Sequence, residues 1–417
     1  MQDNRQIGRR AAIMGGGALA LLAGCGGGAV VRSGAGAPDP DLMPQPNPGW
    51  TAWVANFRGR AMAQGITPAT LDAGFRGAGY LPGVVTRDRS QTEFTRSLED
   101  YFAIAASDTK VATGRAMLAR HGALLREIEA RYGVPAQVVT AIWGMESNYG
   151  ARRGDIPVVS ATSTLAFDGR RGEFFEKQLL AALGIIQRGD VPASRLTGSW
   201  AGAMGHTQFI PTTFQAYAVD FRGDGQRDIW SDDPTDGLAS TASYLSQSGW
   251  RRGETWGLEV RLPAGFSPAL VGRGSARSDW ASLGVTPANG GRLPSASGSI
   301  LAPSGIGGPA FLVFRNFGAI LRYNNAEKYG LGVGHLSDRI NGAGPLRGTF
   351  PPDRYGFTKD ERIELQTLLT RKGYDLGTPD GVFGSKTEAA ISAYQSREGL
   401  PVTAEPSRAL LTRLRQG

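Results

Sequence analysis

Residues 132–150 read YGVPAQVVTAIWGMESNYG, and the fold turns on how this stretch is read. Pro135 suits the first position of a helix, where its missing N–H would have no partner anyway. Val138, Val139, Ile142, Trp143 and Glu146 then fall at i, i+1, i+4, i+5 and i+8, which is one face of a helix. Glu146 thus prolongs the apolar stripe. A carboxylate on a buried face is costly unless it is protonated or paired. Gly144 and Gly150 bracket the acid, and Ser147 and Asn148 are poor helix continuers. The spacing therefore places Glu146 near the helix C-terminus, where the macrodipole also disfavours an anion. Both effects raise its pKa, as a general acid requires. The same pattern fits a buried glutamate bridged to an arginine, and this helix alone leaves both readings open.

A second stretch, residues 199–214, reads SWAGAMGHTQFIPTTF. Ala201, Gly202, Ala203 and Gly205 strip the backbone of bulk, while Met204, Gln208 and Phe209 project. Small residues let another chain approach closely, whether a ligand or a packed helix. Gln208 offers an amide donor and acceptor beside non-ionic neighbours, a surface that suits N-acetylated sugar rings better than phosphates.

Taken in order, ESNYG, AGAMGHTQFIP, DFRGDGQRDIW and ILRYNNAEKY resemble the membrane-bound lytic murein transglycosylase B family, from about Trp50 to Gly342. The order and spacing of the four motifs carry the resemblance. It implies a mainly helical, lysozyme-like catalytic core with a small accessory lobe, cleaving the MurNAc–GlcNAc bond of peptidoglycan. The family's single catalytic glutamate falls on Glu146. Its substrate-groove motifs fall on Ser199, Met204 and Gln208, and on Tyr323, Asn324 and Tyr329. Tyr101 matches an aromatic that reaches the groove in the family, although core packing accounts for it equally well.

The 417 residues carry a formal charge of +8, with three histidines and one cysteine. Such a length predicts two or three domains. A basic surface suits an anionic polymer. No helix-turn-helix, zinc spacing or aromatic-basic strand motif points to nucleic acid, and stem-peptide carboxylates account for the charge. Arg9-Arg10 precede an apolar run, Ala11 to Ala23, with the layout of an export signal. The run ends in Leu22-Ala23-Gly24-Cys25, which resembles a lipoprotein lipobox. Cleavage before Cys25 would make that thiol the lipidated N-terminus, and Gly26 after it implies the outer membrane by resemblance to sorting rules. The paired arginines leave the Sec and Tat export routes both open.

The expected layout is a signal peptide over 1–24, a Pro- and Gly-rich linker over 25–48, a catalytic domain over 49–342 and a second linker over 343–356. The last unit, 357–417, reads RIELQTLLTRKGY…PDGVFGSKTEAAISAYQSREGL. It resembles the peptidoglycan-binding type 1 domain, a three-helix module, through LQ, GY, DGxFG, YQ and GL in order. Within the catalytic domain, Trp53, Phe57, Ala61 and Met62 predict one helical face and Phe94, Leu98, Tyr101 and Phe102 another. Leu118 to Tyr132 reads as a continuous amphipathic run, and residues 155–189 as a helical pair. Short strands and loops are expected over 262–310, with helix returning near Phe311–Tyr323.

Residues 220–236, DFRGDGQRDIWSDDPTD, resemble an EF-hand loop. Asp220, Asp224, Gln226 and Asp228 stand at positions 1, 5, 7 and 9, and Asp236 or Asp232 would close the site after an inserted pair. Arg222 occupies position 3, where an oxygen ligand belongs, and Ser231 occupies position 12. The family's loop can bind calcium; a metal-free turn held by Asp side chains is the alternative. No other cofactor is implied.

His121, His206 and His335 are scattered, with no HExxH or CxxC, so a zinc peptidase is poorly supported. A lysozyme-type hydrolase usually needs two carboxylates flanking the bond, and the groove motifs hold only one. A wall anchor that binds glycan without cutting it would not need Glu146. These leave a lytic transglycosylase as the main reading.

Overall fold

The computed structural model describes residues 39–90 and 97–416. The readings of Cys25 and Phe94 lie outside the described residues. Up to Ile340 the chain is mainly helical: α1 (Pro48–Ala63), α2 (Pro68–Phe75), α3 (Pro82–Arg89), α4 (Leu98–Ala105), α5 (Asp108–Arg120), α6 (Gly122–Tyr132), α7 (Ala136–Ser147), α8 (Val158–Asp168), α9 (Gly172–Arg188), α10 (Pro211–Tyr217), α11 (Thr235–Gln247), α12 (Arg315–Tyr323) and α13 (Glu327–Ile340). Many starts are written locally. Asn47, Thr67, Ser97 and Ser107 each cap the next helix through a side-chain oxygen, with proline at the first turn of α1 and α2.

The expected run from Leu118 to Tyr132 breaks at His121, which ends α5 and starts α6. In α1, Phe57 and Ala61 are buried, but Met62 is exposed; one residue past Ala61 is about 100° around the helix.

Helix α7 sits at the centre. Val138 to Gly144 are buried without interruption, so the helix is enclosed on nearly all sides rather than along one stripe. It packs among α5, α6, α11 and α13. Pro135 is the cap residue rather than the first helical residue.

Strands β1 (Ile156–Pro157) and β2 (Thr197–Gly198) pair antiparallel. Strands β3 (Gly257–Arg261), β4 (Thr286–Pro287), β5 (Ser299–Leu301) and β6 (Ala310–Val313) form an antiparallel sheet in the order β4-β3-β6-β5. The sheet builds the accessory lobe and spans slightly more than 262–310. Helix returns only at Arg315, because residues 310–313 are strand. Alternation along β6 explains its role: Phe311 and Val313 join the main core, while Ala310 and Leu312 join the lobe's own core with Val260, Trp280 and Ile300. The lobe is thereby fastened to the groove-bearing body.

The C-terminal module has its own core of Phe357, Leu365, Leu369, Ile391, Tyr394, Leu410, Leu411 and Leu414. Its helices are α14 (Lys359–Arg371), α15 (Ser385–Arg397) and α16 (Arg408–Gln416), and Thr358 with Glu361 forms a capping box on α14. Two glutamines explain the LQ and YQ pairs. Gln366 Oε1 accepts from Asp380 and Gly381 N–H at 3.0 and 2.8 Å; Gln395 Oε1 accepts from Thr403 and Ala404 N–H at 2.9 and 3.0 Å. Each pins the loop that follows its helix.

Candidate active site

Glu146 is the penultimate residue of α7. Beyond it the chain turns sharply: Asn148, Tyr149 and Gly150 all have positive φ, at 50°, 59° and 83°. Two non-glycine residues in this region cost free energy that the surroundings must offset. The offset is visible. Tyr149 folds back over the helix and donates its hydroxyl to Lys110 O at 2.8 Å. A Cβ on Gly144 would lie 2.5 Å from the Tyr149 ring, so the glycine makes room for it. Ser147 Oγ donates to His206 O at 2.9 Å and accepts from Gly150 N–H at 3.0 Å.

His206 clamps the same turn from outside. Its Nδ1 accepts from Trp143 Nε1 at 3.0 Å, and its Nε2 lies 2.8 Å from Ser231 O. A carbonyl can only accept, so Nε2 carries the proton and the ring is neutral. Burial, the largest cause, pushes its pKa down.

Glu146 opens into a groove enclosing about 750 Å³ of solvent-connected space. Gln208, Tyr323, Asn324, Tyr244, Phe209 and Arg171 are also in its wall, and Glu146 is the one acid among the lining residues. Burial raises the Glu146 pKa from 4.5 to about 7; a hydrogen bond from Tyr329 and the charge of Lys110 pull the other way. Tyr329, near the start of α13, donates its hydroxyl to Glu146 Oε1 at 2.5 Å. No arginine bridges the acid among the described residues.

The structure brings Glu146, Gln208, Tyr323 and Asn324 together in the groove wall and sets Tyr329 directly behind the acid. Tyr101 is buried close enough to feel the Glu146 charge, and its hydroxyl has no hydrogen-bond partner among the described residues. Ser199 and Met204 are placed otherwise. Ser199 Oγ accepts from Ala203 N–H at 3.1 Å, closing a turn. Met204 is fully buried, its backbone bridged to Phe209, so it supports the groove from beneath rather than lining it.

Gln208 holds a positive φ of 51°. Its amide nitrogen donates to Arg153 O at 3.0 Å and Gly205 O at 2.9 Å. Both donors are spent inside the protein, so Gln208 presents only its carbonyl, an acceptor. Asn324 is the complement: its Oδ1 accepts from Ala326 N–H at 3.1 Å, leaving the amide nitrogen as a donor. Tyr323 donates to Thr207 O at 2.6 Å. Its ring meets Tyr244 at 5.0 Å and Phe209 at 5.7 Å between centroids, forming an aromatic wall.

Tyr244, Phe174 and Phe175 were not singled out as site residues by sequence reasoning, which left Arg170 and Arg171 open between pairing with carboxylates and facing the groove; Arg171 does both. The two phenylalanines have core-like helical spacing, and nothing local marks Tyr244. Arg171 is oriented by the buried Asp88, which it shares with Arg170, and lies over the Phe175 ring at 4.8 Å.

In the 220–236 loop the proposed calcium ligands face inward to the backbone. Asp220 accepts from Gly223, Asp224 and Gly225 N–H; Asp224 accepts from Gln226 N–H; Asp228 accepts from Trp230 and Ser231 N–H. Asp236 ties the ends, accepting from Phe221 and Asp228 N–H, both at 2.9 Å. Arg222 turns out to Glu127 at 2.6 Å. Among the described residues no group of three or more His, Cys, Asp or Glu side chains is placed to hold a metal ion. The donor set of Asp220, Asp224, Gln226, Asp228 and Asp236 thus fits a hydrogen-bonded turn better than a calcium cage. The turn's product is Ser231 O, which receives the His206 proton.

Residues 49–338 match the family model of the transglycosylase SLT domain, and residues 358–414 match that of a peptidoglycan binding domain. Membrane-bound lytic murein transglycosylase B of Escherichia coli K12 is 32% identical over 215 residues, which is 50% of this chain and 58% of that protein's length. SltB3 of Pseudomonas aeruginosa, solved in complex with NAG-anhNAM-pentapeptide, is 50% identical and superposes with a TM-score of 0.72 over 88% of this chain and 100% of that one. Slt35 of Escherichia coli, solved in complex with calcium, is 27% identical, with a TM-score of 0.60 over 72% of this chain and 95% of that one. With most of its length matched and its mainly helical core shared with these enzymes, the chain belongs to the transglycosylase SLT domain family.

Proposed function

We propose that this protein is a lytic transglycosylase that cleaves the MurNAc–GlcNAc bond of peptidoglycan without using water as nucleophile. One observation carries the reading: a single carboxyl group, with its pKa raised to about 7, in a groove lined by no other acid among the described residues. Hydrolysis by a lysozyme-type route usually needs a second carboxylate to activate water or trap the sugar.

In this reading Tyr329 occupies Glu146 Oε1, so the exchangeable proton sits on Oε2 and faces the groove. Glu146 gives that proton to the GlcNAc leaving oxygen. It then takes one from the MurNAc C6 hydroxyl, which attacks C1 and closes a 1,6-anhydro ring. One group serves as acid and then base, and atoms balance without water. An N-acetyl group has one N–H donor and one carbonyl acceptor; the Gln208 carbonyl and the Asn324 amide nitrogen match them in complementary sense. The N-acetyl oxygen stabilises the positive charge at C1. The SltB3 complex with an anhydro-sugar peptide supports this substrate class. No step passes through a metal.

The proposed layout assigns cleavage to 49–342 and wall binding to 357–417, with a lipid on Cys25 anchoring the protein at the periplasmic face of the outer membrane. The relative named membrane-bound supports the anchor. Cys25→Ala should release the protein from membranes into the soluble periplasmic fraction; retention in the membrane pellet would place the anchor elsewhere. For the chemistry, Glu146→Gln should abolish release of anhydro-muropeptides from purified peptidoglycan, and full retention of activity would remove Glu146 as catalyst.

A further inference from the structure

Arg362, on α14 of the C-terminal module, is an unusual cation: its side chain is 2% exposed. Within the module it donates to Gly381 O at 2.6 Å, and it lies 3.6 Å from Asp353 in the preceding linker. Its Nη2 leaves the module and meets Glu99 Oε2 at 2.5 Å and Asp100 Oδ1 at 3.0 Å. Those two acids form the first turn of α4, capped by Ser97. The next residue is Tyr101, whose buried hydroxyl has no hydrogen-bond partner among the described residues and lies within reach of the Glu146 charge. The ring packs on Gly332, in the same helix as Tyr329.

We infer that Arg362 is a positioning residue: the docked C-terminal module, through Glu99 and Asp100, sets the register of α4 and so the place of the Tyr101 hydroxyl beside Glu146. The inference rests on Glu146 as the acid and adds that the wall-binding module also tunes the groove. Geometry supports it over a surface contact. An exposed ion pair contributes little, but a buried guanidinium leaves its carboxylates only at high cost, so this contact persists in salt. All three of its acid partners lie outside the module, two of them on α4. Leu98 and Phe102 tie α4 to the main core, Phe102 against Phe311, Phe350 and the His335 ring, and Arg362 adds the tie on Glu99 and Asp100.

The test uses the full chain and soluble, peptide-free glycan strands. Glu99→Gln with Asp100→Asn removes the α4 side and spares Arg362's bonds inside the module; Arg362→Met removes the other side. Each should lower kcat by roughly three- to thirty-fold with KM little changed, and Arg362→Lys should recover part of the loss. Combined with Tyr101→Phe, neither should lower kcat much below Tyr101→Phe alone, because all act through one hydroxyl. Wild-type kcat in the Gln/Asn variant, or losses that multiply with Tyr101→Phe, would overturn the inference. Glu146 as the acid is tested separately by Glu146→Gln, so the two can fail independently.

Discussion

In the proposed mechanism Glu146 releases a proton and recovers one within a single turnover, so its pKa sets the pH range of activity. At about 7, the group is largely protonated below neutrality and loses its acid function above it. The rate should therefore fall along a basic limb near pH 7. Tyr329 donates to the carboxylate and holds the pKa down; Tyr329→Phe should move that limb to higher pH, and a shift downward would contradict the assignment. Stability follows the same shift. The folded protein binds the Glu146 proton more tightly than the unfolded chain, so stability declines as pH rises from 4.5 to about 7 and stays low above. Such a rise corresponds to on the order of 3 kcal/mol. Glu146→Gln should accordingly melt higher than wild type at pH 8, with the gap closing toward pH 4.5, while losing roughly 10²–10⁴-fold or more in activity. Glu146 was legible because an acid on an apolar helical stripe is conspicuous. Tyr329 reached the site only through family resemblance, 183 residues downstream. Tyr244 gave no local sign because tertiary packing alone delivers it.

At the scale of elements, α7 and its left-handed turn aim the acid. Gly144→Ala would drive a Cβ into the Tyr149 ring. Overpacking of this kind costs about 1–3 kcal/mol, so the melting temperature should drop and kcat with it, as Tyr149 is displaced two residues from Glu146's helix end. Unchanged melting would mean the ring lies elsewhere. The 220–236 turn is satisfied by its own backbone, so calcium and chelator should give the same melting temperature; a rise that saturates with calcium would restore the ion. A cap followed by proline, as at Thr67-Pro68, is readable from the chain; the start after Asn47 was hidden in a stretch that reads as linker. The break at His121 was missed although Gly122 stands beside it, because apolar periodicity runs on across the pair. Strand β6 read as helix because each of its residues is buried, and a short apolar run has no telling period.

At the scale of the molecule, a body that cuts and a module that holds are joined through Arg362 and the 343–356 segment. Residues 357–417 have their own core, and expressed alone they should co-sediment with purified peptidoglycan. Their removal should weaken wall binding and slow cleavage of soluble strands without abolishing it. Complete loss of activity would make the module part of the catalytic fold. Order and spacing of motifs made this two-part plan legible; the docking was not, because a lone arginine in an amphipathic helix looks like any solvated cation. The central claim, that one acid works without water, is tested most directly by mass analysis of products formed from purified peptidoglycan in ¹⁸O-labelled water. The account predicts muropeptides ending in 1,6-anhydroMurNAc with no label. Reducing-end MurNAc carrying ¹⁸O would contradict it.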